Sequence, residues 1–69
     1  MEELEFALRF THHVPKGDQA QRYTHIRNSA SILASLIDDE CPESREKSLA
    51  FTKLEEAVFW ANASIARRE

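Results

Sequence analysis

Two apolar seams, separated by a proline, constrain this chain more than any other feature. Tyr23, Ile26, Ala30, Leu33 and Ile37 recur at steps of 3, 4, 3 and 4, and Phe51, Leu54, Val58, Ala61 and Ile65 repeat the same steps. That rhythm puts each set on one side of an α-helix. Pro42 stands between them and forbids a continuous helix. The pattern predicts a first long helix over about 18–39 and a second over about 44–67, paired antiparallel through a short acidic loop. Asp18 is the expected N-cap of the first helix and Ser44 that of the second, with Pro42 in a first helical turn as the alternative. Asp38, Asp39 and Glu40 oppose the dipole at the end of the first helix, so fraying is expected there. One glycine and two prolines leave too few turn residues for a hairpin-rich β fold. The expected fold is an all-α antiparallel helical hairpin forming a single domain.

Residues 1–17 form a lead-in arm. Phe6, Leu8 and Phe10 alternate as in a short strand or extended arm, whereas Leu4, Ala7 and Leu8 fit a helical turn equally well. His12 through Gly17 then breaks regular structure, since Val14 precedes Pro15 and Gly17 tolerates a positive φ. The acidic opening Met1–Glu5 does not read as a secretory signal, and no apolar run approaches the ~18 residues of a membrane span. Cys41 is the only cysteine, which excludes an internal disulfide and points to a reducing compartment.

Size is the first physical problem. A chain of 69 residues rarely gains more than ~3–5 kcal/mol from one core. With no disulfide or evident metal to help, self-association is the expected remedy. The hairpin also leaves apolar residues over. Leu49, Trp60 and Ala63 lie away from the second seam, and Ile32 and Leu36 flank the first. These five are the expected oligomer interface, unless the arm folds back over them.

The net charge of −3 disfavours binding to polymeric nucleic acid. Charge is uneven, however. Residues 9–27 carry Arg9, Lys16, Arg22 and Arg27 with all three histidines and one acid, Asp18. In an antiparallel hairpin this segment approaches Arg67 and Arg68, which suits a phosphate group. His12, His13, Tyr23 and His25 supply rings that can stack on bases. The histidines lack the carboxylate pattern of a metal site. Cys41 lies at the acidic end, where a thiolate is disfavoured. Neither a triad, a pair of catalytic carboxylates nor a glycine-rich phosphate loop is present, so no enzyme activity and no cofactor are expected.

Two runs carry a family resemblance. Phe10 through Gln19, followed by Arg22, Tyr23, Ile26 and Arg27, is the first. Cys41 through Ala50, followed by Lys53 through Arg67, is the second, and its segment from Trp60 to Arg67 is the most specific part. Over about residues 10–67 the chain resembles the helical-hairpin cyclic-nucleotide sponges of bacteriophages, the anti-CBASS sponges, whose hairpin recurs in anti-Thoeris sponges. The resemblance implies a binding protein without turnover in the cytoplasm of the infected bacterial host. It implies a homohexamer that holds cyclic dinucleotides between paired protomers and cyclic trinucleotides in separate pockets. By matching positions, it places His12, Pro15, Lys16, Tyr23 and Arg27 at the dinucleotide site and His25, Asn28, Ser29 and Arg67 at a trinucleotide pocket. Many relatives carry Tyr where this chain has His12, which makes stacking weaker and pH-sensitive. A sponge for a cyclic ADP-ribose-type messenger, a helical protein-interaction module and a small nucleic-acid-binding protein are the competing readings.

Overall fold

The computed structural model describes residues 1–69 as three helices without strands: α1, Glu3–Phe10; α2, Gln19–Glu40; and α3, Arg45–Arg68. α2 and α3 form the antiparallel pair. The molecule measures 46 × 29 × 13 Å, so its thickness is close to one helix diameter. None of its helices is long and apolar enough to cross a membrane.

The arm is helical over α1, which settles the two readings left open by its pattern. The Glu2 carboxylate accepts from the Leu4 and Glu5 amides at 2.8 and 3.1 Å. Glu3 and Glu5 stand in the first turn and Arg9 in the last, as the helix dipole favours. Pairs four residues apart reinforce the turn: Arg9 Nε lies 3.0 Å from Glu5, and the Phe6 and Phe10 rings are 5.0 Å apart. Gly17 makes the bend into α2 with φ +57°.

Two expectations about helix ends are corrected. Asp18 occupies the cap position of α2 but makes no side-chain cap; its carboxylate accepts from Arg22 at 3.3 Å instead. The end of α2 does not fray. It stays helical to Glu40, and the Cys41 amide donates to Ile37 O at 3.0 Å. The cation that offsets its acids comes from α3. Lys47 Nζ lies 3.1 Å from Asp38 O, 3.0 Å from Asp38 Oδ1 and 2.6 Å from Glu43 Oε1. Hydrogen bonds to Glu43 and then Asp38 raise the Lys47 pKa above its usual value. Ser44 caps α3 as expected, its Oγ accepting from the Lys47 amide at 3.1 Å.

Along the hairpin, Ile26, Ala30 and Ile37 are half-buried against Phe51, Leu54, Val58, Ala61 and Ile65. Leu33 departs from the expected seam. It is 45% exposed, and Ala34 takes the inward position. Ala30 and Ala34 line a shallow hollow with Phe51, Leu54 and Val58. No apolar side chain is fully buried; the two buried residues are Gln19 and Lys47, one at each end of the pair.

Candidate functional site

The open end of the hairpin is held by polar contacts that run between the arm, α2 and α3. Gln19, the most buried residue at 4% exposure, accepts from the Lys16 amide at 3.1 Å and donates to Ile65 O at 3.3 Å and Glu69 Oε1 at 3.1 Å. Arg22 grips the Glu69 carboxylate with both terminal nitrogens, at 2.9 and 2.6 Å. Lys16 Nζ donates to Glu69 O at 3.0 Å. Arg22, then Gln19, holds the Glu69 carboxyl down at about 2, and the Arg22 guanidinium is raised in turn. A second fork joins Arg68 to Glu5 of α1 at 3.0 and 2.7 Å, and Arg68, then Arg9, lowers Glu5 to about 2. The expectation that Arg22 and Arg68 add free positive charge for an anion is therefore corrected: each is neutralised within the chain.

Beside these clasps lies a groove of about 460 Å³. His12 and His13 of the arm, Tyr23 and Arg27 of α2, and Phe59, Asn62, Ala66 and Arg67 of α3 line it, with Arg9, Thr11 and Ala63 at its margin. The arm is set there by His13, whose Nε2 lies 2.8 Å from Leu8 O. Arg27 and Arg67 form no ion pair, and the only side-chain hydrogen bond of Arg27 is a long one to Thr24 Oγ1 at 3.4 Å. Two unpaired guanidinium groups therefore face a space flanked by two histidines, a tyrosine and a phenylalanine. Such a set can hold phosphate by paired N–H donors and bases by stacking. Asn62 Oδ1 is buried in the groove wall with no hydrogen-bond partner.

His12, Tyr23, Arg27 and Arg67 thus share one groove of a single chain, although the resemblance divides them between two ligands. Pro15, Lys16, His25, Asn28 and Ser29 lie outside it and are exposed, with Lys16 engaged by Glu69. No group of three or more His, Cys, Asp or Glu side chains converges as a metal site. His13, expected as a stacking ring, lines the groove as well, whereas Thr11, Phe59, Asn62 and Ala66 were not assigned to the ligand from sequence. Asn62 had a signal, because it interrupts the alanines of the run from Trp60 to Arg67 that carries the resemblance most specifically.

Of the residues expected at an oligomer interface, Ile32 is 73% exposed, Trp60 56%, Leu36 55% and Leu49 41%. Ala63 is half-buried between the groove and a neighbouring hollow of about 450 Å³, where Trp60 and Phe10 lie. α1 leans against this side through Glu5 and Arg68 but leaves more than half of Trp60 uncovered.

The sequence model of the Acb2/Tad1 hairpin domain matches residues 3–66. No curated protein and no solved structure matches the chain.

Proposed function

Because this chain belongs to the Acb2/Tad1 hairpin family, known for sequestering cyclic nucleotide messengers, we propose that it is a stoichiometric sponge for cyclic oligonucleotides. Cyclic dinucleotides are the first ligands and cyclic trinucleotides the second. The consequence is a block of CBASS signalling in the cytoplasm of an infected bacterium. The observation that carries the reading is the pairing of Arg27 and Arg67, both without carboxylate partners, across a groove that His12 and Tyr23 flank.

The mechanism is binding alone. A cyclic dinucleotide offers two phosphates and two bases about an approximate two-fold axis. A two-fold pair of chains presents the same cation and the same ring to each half. Charge-assisted pairs and stacked bases, each worth roughly 1–3 kcal/mol, together reach nanomolar affinity. The exposed Leu49, Trp60, Ile32 and Leu36, in a chain with no buried apolar residue, favour assembly of several copies, with a hexamer as the proposed state.

The test is a thermal-shift panel of cyclic di- and trinucleotides with linear dinucleotides as controls, followed by recovery of the ligand after heating. The expected result is stabilisation by cyclic compounds and recovery of intact ligand. No stabilisation by any cyclic compound at micromolar dose removes the proposal, and recovery of a cleaved ligand replaces it with a hydrolase. Stabilisation by a cyclic ADP-ribose-type messenger alone transfers the function to Thoeris defence.

A further inference from the structure

We infer that Asn62 reads the base of the bound nucleotide, as a specificity-determining side chain that pairs with a donor and an acceptor on one base edge. The inference rests on the sponge reading above and adds the part of the ligand that the cations do not reach.

Asn62 lies on the groove-facing side of α3, among Ala61, Ala63 and Ala66. Its oxygen is closed off from water and accepts from no donor of the chain. A buried acceptor without a partner destabilises a fold, and alanine in its place would favour the helix. The carboxamide therefore gives this chain no structural return that its alanine neighbours do not supply. No intramolecular hydrogen bond holds its oxygen. Half a turn about its terminal torsion exchanges oxygen and nitrogen, so the acceptor is free to reorient toward a ligand in the groove that Asn62 lines.

The class of partner follows from charge. Arg27 and Arg67 already provide donors for phosphate, and an acceptor oxygen has nothing to gain from an anion. Tyr23 and Phe59 line the same groove and bring aromatic rings to it, which can stack with a base. A base stacked there brings its edge to Asn62. A carboxamide offers a donor beside an acceptor, the arrangement with which asparagine pairs to the exocyclic amine and ring nitrogen of adenine.

The experiment is a thermodynamic cycle between protein and ligand, measured by calorimetry. The ligands are cyclic di-adenylate and its analogue built on purine, which lacks the exocyclic amine. The proteins are the full chain, Asn62→Leu and, as a second variant that keeps helix propensity, Asn62→Ala. The native chain is expected to bind cyclic di-adenylate about tenfold or more tightly than the purine analogue. Both variants are expected to bind the two ligands alike, with helicity unchanged. Equal binding of both ligands by the native chain overturns the role of Asn62 but leaves the sponge reading standing. Discrimination that survives in a folded variant overturns it too, and points to a different base reader. Failure of the native chain to bind either ligand, or any other cyclic nucleotide, overturns both readings.

Discussion

Replacing Arg27 by alanine removes a charge that the fold does not use. Its side chain has no carboxylate partner and only one hydrogen bond, at 3.4 Å to Thr24. The free protein is therefore expected to keep its helicity and melting temperature. The whole effect falls on the ligand. A hydrogen bond to a charged group contributes about 1.5–3 kcal/mol, which is between about tenfold and about 150-fold in affinity. If a two-fold ligand meets Arg27 from each of two chains, both contacts vanish together and the loss approaches the square of that factor. The expected range for Arg27→Ala is thus a rise in Kd from at least about tenfold to about twenty-thousandfold. Arg45→Ala is the matched control: Arg45 also lacks an ion pair but stands at the start of α3, remote from the groove. Titration calorimetry at two salt concentrations, with light scattering to confirm the assembly, measures all of this. Affinity within twofold of the native chain for a folded Arg27→Ala protein of native size refutes the reasoning.

Ser44→Ala is expected to lower stability by about 1 kcal/mol through loss of the α3 cap, while Ser44→Asp retains most of it, as chemical denaturation can show. Acid should release α1. Glu5 is lowered from 4.5 to about 2 by Arg68 and Arg9, so its contribution is present above its unfolded value and is lost as pH falls through about 2. Trp60 fluorescence, followed downward from pH ~5, should report the release, and Glu5→Gln should abolish that transition. Trp60→Ala or Leu49→Glu is expected to shift the protein to smaller species in light scattering; variants of unchanged size would remove those residues from the interface.

The long helices were legible because apolar period and punctuation agreed. Both seams, Pro42 and Ser44 point to the same hairpin. Less legible were features decided by contacts between distant residues. Lys47 steadies the end of α2 from the far side of the turn, a pairing that no local dipole argument contains. Ala34 displaces Leu33 from the seam because which flank turns inward depends on the partner helix. In the groove, cationic and ring residues stood out by type, so His12, Tyr23, Arg27 and Arg67 could be named. Which cations stay available could not be read in the same way. Glu5 and Glu69 neutralise Arg68 and Arg22 across more than forty residues of chain, and sequence spacing carries no trace of that. Asn62 stood out only as a break in the alanines of its run; that its oxygen lacks a donor is a property of the packed helices and leaves no mark in the sequence.

The absence of a fully buried apolar side chain has a calorimetric consequence. The heat-capacity increment of unfolding tracks the apolar surface newly wetted. A solitary chain already wets much of its own, so its increment should be small and its melt broad. A sharp endotherm that moves upward with protein concentration would then measure the joining of copies, and the hairpin's persistence would be a property of the population.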